Sequence, residues 1–169
     1  RLFGNLSVLD NVKIAYHFHA NHSVLNSVLN DNKHFAGEEA ITDKAKELLD
    51  IFGLTPRLNE ISKNLPYGEQ RRLEIARALA AKPKILLLDE PAAGMNANES
   101  KDLVRLIDWI HREFNLTILL IEHHMDVVMS ICQRIVVLDY GKIIAEGTPD
   151  EIRANPKVIE AYLGEEVTI

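Results

Sequence analysis

The stretch Ile85-Leu86-Leu87-Leu88-Asp89-Glu90-Pro91 decides how this chain is read. Four large apolar residues end in two adjacent carboxylates. A buried β-strand reads this way when it delivers acids to the edge of a phosphate site. In an open parallel sheet, ligands sit at the carboxyl ends of the strands, and Asp89 and Glu90 fall at that end. One acid there holds Mg²⁺, directly or through water, and a second orients an attacking water. The two are adjacent, so their side chains diverge and take different roles. The plainer alternative is a strand that simply ends in polar residues. A glycine-rich phosphate loop, G-x-x-x-x-G-K-[ST], should accompany such a strand. This sequence holds none: Gly141-Lys142 is followed by Ile143, and Gly147-Thr148 lacks the lysine.

From residue 84 onward, strands alternate with helices. An apolar strand covers 84–89. An amphipathic helix covers 98–114, with Leu103, Leu106, Ile107 and Ile110 on one face. A second apolar strand, 117–121, precedes a short helix over 126–132. Strands 134–139 and 142–146 are joined by Tyr140-Gly141. The alternation implies a parallel α/β layer, and the last strand pair reads as an antiparallel hairpin at its edge. Thr148-Pro149-Asp150-Glu151 opens a further helix, with a threonine cap, proline in the first turn and acids near the N-terminus.

Residues 1–82 have a different texture, helices joined by polar loops. Ser7 caps a helix that begins at Val8. The segment 38–52 places Ala40, Ile41, Ala45, Leu48, Leu49 and Phe52 at helical spacing and stops at Gly53. Between these helices, 20–37 reads as a polar loop with a short apolar face of Val24, Leu25, Val28 and Leu29.

Composition bounds the function. At 169 residues and 47% hydrophobic, the chain suffices for one ordinary core. A net charge of −6 and the lack of a basic stripe argue against nucleic acid as the main partner. The single cysteine, Cys132, allows no internal disulfide and reads as a small buried apolar residue in a reducing compartment. No apolar run approaches the roughly 20 residues that span a bilayer, and no secretory signal opens the chain. It starts on Arg1 rather than Met, which reads as a piece of a longer protein.

Two further constellations accompany the acids. Ile121-Glu122-His123-His124-Met125 follows the second apolar strand, so His123 faces the same crevice as Asp89 and Glu90. An imidazole there hydrogen-bonds a terminal phosphate or the attacking water. The alternatives are a surface histidine pair or a metal site. The metal reading is the weaker, because neighbouring histidines diverge and no third ligand is evident. The other constellation is Leu65-Pro66-Tyr67-Gly68-Glu69-Gln70-Arg71-Arg72, which leads into a strongly helical stretch through Leu79. Free backbone N–H groups at a helix start attract anions, although an ordinary capped helix reads the same way.

Together, in this order and spacing, the three elements resemble the ATP-binding subunits of ABC transporters over essentially the whole chain. Leu65 to Glu69 is similar to the signature motif, L-S-G-G-Q in most members. Ile85 to Glu90 resembles Walker B, Ala93-Gly94-Met95-Asn96 the D-loop, and His123 the switch histidine. Tyr67-Gly68, the segment 91–96, Ile121-Glu122-His123 and the tail Ala161-Tyr162-Leu163-Gly164-Glu165 look like the LivG-type ATPase subunits of branched-chain amino acid importers. Lipopolysaccharide-export ATPases have a similar tail and are the nearest rival. Pro66 stands where most members have serine, which removes a hydroxyl donor. Glu69 replaces the usual glutamine and brings an acceptor-only carboxylate near phosphate. Gly68 remains for backbone donation.

The resemblance implies an α/β fold, an incomplete P-loop NTPase domain. Residues 1–82 would form the helical signature subdomain, and 83–169 the C-terminal part of a RecA-like core, with a partial, mainly parallel sheet, an edge hairpin and C-terminal helices. It implies ATP and Mg²⁺ as ligands. Asp89 would hold the metal, Glu90 polarise the water and His123 contact the γ-phosphate. Leu65, Pro66, Tyr67, Gly68 and Glu69 would face the partner subunit's ATP, with Gly94 and Asn96 in the D-loop. The implied partners are a second ATPase subunit, transmembrane permease subunits and, indirectly, a periplasmic or extracellular binding protein. The apolar face at Val24, Leu25, Val28 and Leu29 would belong to the permease dock. The implied location is the cytoplasmic face of the inner membrane, as a peripheral subunit.

In the family, the phosphate-loop strand lies between the strand preceding His123 and the 134–139 strand. Its lack here predicts a gap between two apolar strands, self-association of the isolated chain and an inactive enzyme. Two other classes stay open: a soluble ABC-type ATPase acting on ribosomes or DNA, and a non-catalytic interaction module.

Overall fold

The computed structural model describes residues 2–17 and 32–163. The apolar face proposed at Val24, Leu25, Val28 and Leu29 lies outside the described residues, as do Gly164 and Glu165 of the tail. The chain divides into two units, Arg1–Leu86 and Leu87–Ile169.

The first unit is helical. Helix α1 (Val8–His17) is followed by α2 (Asn32–Ile51), single 3₁₀ turns at Thr55–Arg57 and Ser62–Asn64, and α3 (Tyr67–Ala80). Ser7 caps α1 as its sequence predicts: its hydroxyl accepts the Asp10 N–H at 3.0 Å. One turn into α1, the buried Asn11 ties down the preceding segment. Its Oδ1 accepts the Phe3 N–H at 2.9 Å, and its amide donates to the carbonyls of Ser7 at 2.9 Å and Phe3 at 3.2 Å.

Helix α2 ends at Gly53 as predicted, in a Schellman motif. Gly53 takes φ +68°, its N–H donates to the Asp50 carbonyl, and the Leu54 N–H reaches back to Leu49. Leu49 and Leu54, the apolar pair that accompanies this motif, are both fully buried. The other end of α2 differs from expectation. The helix begins at Asn32, six residues before Glu38, because a helix once nucleated extends through polar residues that carry no apolar period. Ala40, read as part of the apolar face, is exposed, while Ile41, Ala45, Leu48, Leu49 and Phe52 are buried.

The strands begin at the division, which falls within β1, and continue through the second unit. β1 (Ile85–Asp89), α4 (Ala97–Glu113), β2 (Thr117–Ile121), α5 (Met125–Ile131), β3 (Ile135–Asp139), β4 (Lys142–Gly147), α6 (Pro149–Arg153) and α7 (Pro156–Leu163) follow in that order. β1 pairs with β2. Glu90, just past β1, donates its N–H to Ile121 at the end of β2, so both strands finish at one edge, the parallel arrangement. The intervening α4 supplies the crossover that a parallel pair requires. It starts in a capping box: Asn96 accepts the N–H groups of Asn98 and Glu99, and Glu99 accepts that of Asn96.

β3 and β4 form the predicted antiparallel hairpin, with Ile135 opposite Gly147, Val137 opposite Ala145 and Asp139 opposite Lys142, and an irregularity after Val137. Its two-residue turn, Tyr140-Gly141, has φ +43° and +76°, the left-handed pair of a type I′ turn. One hairpin face, Ile135, Val137 and Ala145, packs on Ile152 and Val158 of the last two helices. Cys132, half-buried, packs against the same cluster. Thr148 caps α6 in a second capping box with Glu151.

The partial sheet stands in two pieces, because β2 and β3 are not paired. Between them lies a groove of about 610 Å³, lined among others by Leu119, Ile121, Val136 and Leu138. This is the position at which the family resemblance places the phosphate-loop strand. One expectation is corrected here. The run Ile85 to Leu88 reads as a buried strand, yet burial alternates along β1: Leu86 and Leu88 are buried, whereas Leu87 is 69% exposed. The same holds on β3, where Leu138 is 63% exposed. A continuous apolar run covers both strand faces in sequence, but in the described residues only one face of each strand meets a packed layer.

Candidate functional site

The edge where β1 and β2 end carries the acids and the histidine. Asp89 is the last residue of β1 and is exposed. Glu90 follows in the left-handed region, at φ +44°, where a residue with a Cβ sits only under constraint. The constraint comes from both sides. Its N–H extends the ladder to Ile121 at 2.8 Å, and its carbonyl accepts the Ala93 N–H at 3.1 Å. The twist turns the Glu90 side chain toward the β2 end, where its Oε1 lies 3.4 Å from Nδ1 of His123. Both side chains are more than half exposed. The structure therefore brings together the two residues that the sequence assigns to water and γ-phosphate.

Pro91 and Ala92 are buried beneath this edge, and the chain turns again at Gly94, φ +75°. Asn96, a D-loop candidate, has its carbonyl oxygen committed to capping α4, which leaves its amide for any further contact.

Glu122 is the residue that sequence reasoning passed over. Its side chain is 0% exposed. Oε1 accepts the Ala92 N–H at 2.9 Å. Oε2 accepts the N–H groups of His123 at 3.1 Å and His124 at 3.3 Å, and lies 2.9 Å from Nδ1 of His124. Burial works against its ionisation. Hydrogen bonds from the His124 ring and from the backbone of Ala92, His124 and His123 outweigh burial and hold the carboxyl below the ordinary carboxylate range. An ionised carboxylate only accepts, so Nδ1 of His124 carries the proton. The sequence signal was present: an acid placed directly between an apolar strand and a histidine pair.

The two histidines do not diverge, which corrects the sequence expectation. Their rings lie 4.3 Å apart at 34°, and Glu122, His123 and His124 present ligand atoms within 4.8 Å of one another. Both Glu122 oxygens already accept N–H donors, so the cluster is a hydrogen-bonded anchor rather than an open ligand set. Asp89, exposed at the strand edge, offers a carboxylate oxygen of the kind that a hard cation such as Mg²⁺ takes.

The signature residues lie in the first unit. Leu65 is buried, and Pro66 precedes α3 without any side-chain cap. The first helical bond runs from the Gln70 N–H to the Pro66 carbonyl, so the N–H groups of Tyr67, Gly68 and Glu69 precede the helical ladder and fit an anion. Tyr67 is exposed, with Arg71 folded over its ring at 5.0 Å and donating to its hydroxyl at 2.6 and 2.9 Å. Glu69 reads in sequence as an acceptor-only carboxylate brought near phosphate. Its Oε2 lies 3.3 Å from Nε of Arg57. The pair is not aligned for a hydrogen bond, and the same guanidinium donates to Glu60 at 3.0 Å, so it offsets the Glu69 charge only in part. Arg57 stands on the 3₁₀ turn upstream, too far along the chain for the pairing to show in sequence.

Among the described residues, no helix is long and apolar enough to cross a membrane. The family model for ABC transporters matches residues 2–93, more than half of the chain. A model described as branched-chain amino acid ATP-binding cassette transporter matches residues 142–168. The chain is 45% identical to the high-affinity branched-chain amino acid transport ATP-binding protein LivG of Salmonella typhimurium, over 98% of this chain and 65% of that protein. It is equally similar, 45% with the same coverage, to the protein BraF of Pseudomonas aeruginosa, which carries the same description. It thus spans 65% of the length of these curated relatives. The crystal structure of the ADP conformation of MJ1267, an ATP-binding cassette of an ABC transporter, matches 95% of this chain and 64% of its own, at 29% identity and TM-score 0.74.

Proposed function

The chain belongs to the ABC transporter family, and from that premise we propose that it forms part of the ATP-hydrolysing subunit of an importer for branched-chain amino acids. The observation that carries this reading is the 45% identity to LivG across 98% of the chain. The match at 142–168 to the branched-chain amino acid cassette model supports the importer over the lipopolysaccharide exporter.

In this reading Asp89 would hold Mg²⁺, which would supply charge neutralisation at the phosphates. Glu90 accepts a proton from the attacking water and aligns it, which its exposed carboxylate at the strand edge permits. His123, 3.4 Å from Glu90, donates to the γ-phosphate. The N–H groups of residues 67–69 face the ATP of a second subunit, with Gly94 and Asn96 at the subunit contact. Arg57, shared between Glu60 and Glu69, lessens the repulsion between Glu69 and that phosphate. Phosphoryl transfer of this kind depends chiefly on positioning and charge stabilisation, which suits a site built from strand ends and a helix start. The subunit acts as a peripheral partner of transmembrane permease subunits on the cytoplasmic face of the membrane, fed indirectly by a binding protein.

Uptake of labelled leucine, isoleucine and valine tests the reading. Disruption of the gene is expected to abolish high-affinity uptake of these three and to leave basic amino acids unaffected. Unchanged branched-chain uptake would reject the assigned substrate class.

A further inference from the structure

We propose that Glu122 is a positioning residue that sets the Glu90–His123 separation by tying together the two loops that carry them. Its two oxygens are divided between those loops. Oε1 holds Ala92, two residues beyond Glu90. Oε2 holds the backbone of His123 and His124 and the His124 ring. No other side chain among the described residues is shown bonding to both loops. The ladder also joins them, Glu90 to Ile121, immediately beside Glu122, and the Glu90–His123 pair spans them at 3.4 Å.

The arrangement explains two otherwise unrelated features. Glu90 is a non-glycine residue at φ +44°, a conformation that persists only when its surroundings fix it. The bond to Ala92 fixes the loop on its far side, as the ladder does on its near side. His124, in turn, is held by its Nδ1 to Glu122. Glu122 thereby keeps that ring away from Glu90 and leaves His123 as the imidazole facing the acid. A glutamine at position 122 keeps one acceptor oxygen and replaces the other with an NH₂ group. With its oxygen on Ala92 it gives the backbone N–H groups of His123 and His124 no acceptor, and with its oxygen on those groups it releases Ala92.

The catalytic consequence rests on the hydrolytic reading above, and the geometric one does not, so two measurements are paired. In the protein that carries this chain together with its phosphate loop, Glu122→Gln is expected to lower kcat about 10- to 100-fold, the effect of roughly an ångström of misplacement. KM and the ATP dissociation constant should stay within about twofold, a split that general loss of folding would not give. Glu122→Asp, which keeps the charge on a shorter arm, should fall between. Amide hydrogen exchange reads the geometry directly: whichever side the glutamine releases, Ala92 or the pair His123 and His124, should exchange at least about tenfold faster in Glu122→Gln, with the β3–β4 hairpin unchanged. An unaltered kcat in an active protein overturns the proposal, and so does unaltered exchange at these three amides. A wild-type protein without ATPase activity would instead reject the hydrolytic reading, with the exchange result still deciding the role of Glu122.

Discussion

Replacing Asn11 by alanine should unseat the start of the first unit. Asn11 is fully buried and makes three well-formed hydrogen bonds, accepting from Phe3 N–H and donating to the carbonyls of Ser7 and Phe3. A fourth contact, to Leu6 at 3.5 Å, is too long to count. At about 1 kcal/mol net per bond, the loss comes to about 3 kcal/mol, and a Phe3 N–H left without an acceptor raises it. Ser62 works the other way, because its hydroxyl still donates to the Phe3 carbonyl at 3.0 Å and satisfies that acceptor in the variant. The expected destabilisation is therefore about 2–4 kcal/mol. With a urea slope of about 2 kcal/mol per molar, the midpoint should fall by about 1–2 M when unfolding is followed by far-UV circular dichroism. Asn11→Asp should do no better, since a carboxylate keeps the acceptor but loses both donors and buries a charge. A midpoint shift below about 0.3 M for Asn11→Ala would refute the reasoning, because it would mean that water replaces the side chain at no cost.

Two further predictions concern the backbone and the acid cluster. Gly53→Ala should cost about 1–2 kcal/mol, from the left-handed φ of +68° and not from crowding, since an added Cβ meets nothing nearer than Arg72 at 3.9 Å; a thermal melt identical to wild type would contradict this. The stabilisation that Glu122 gives should depend on pH in one direction. Its folded-state pKa lies below the ordinary 4.5. Its contribution is therefore fully present above that value and is lost as pH falls through the lower, folded-state one. Urea melts of wild type and Glu122→Gln should differ most near neutrality and converge in acid, and a gap that widens on acidification would reverse the assignment.

The sequence made the scaffold legible wherever local chemistry marks an element's end. Thr148 caps its helix within four residues of Glu151, as its sequence spells out, and Gly53 and Tyr140-Gly141 announce their turns by the φ values they must take, whereas the Asn96–Glu99 capping box came only with the structure. Asp89, Glu90 and His123 were legible for a different reason. Each lies at or just past the end of an apolar strand, and strand ends in a parallel sheet converge on one edge. What was not legible is what depends on distant partners. Glu122 takes its meaning from Ala92, thirty residues earlier. Glu69 takes its from Arg57, across a turn. The start of α2 was missed because polar residues that extend a helix carry no apolar period. The exposure of Leu87 and Leu138 was missed because an apolar run does not say which of its faces finds a neighbour.

The central claim, that Glu90 aligns and activates the attacking water beside His123, is tested most directly by ATP turnover of the phosphate-loop-bearing protein with Glu90→Gln. Affinity for ATP should be measured on the same preparation. The account predicts wild-type binding and a fall in turnover of about 10²–10⁴-fold, the contribution of a positioned general base. Turnover within about twofold of wild type would contradict it and remove Glu90 from the chemistry.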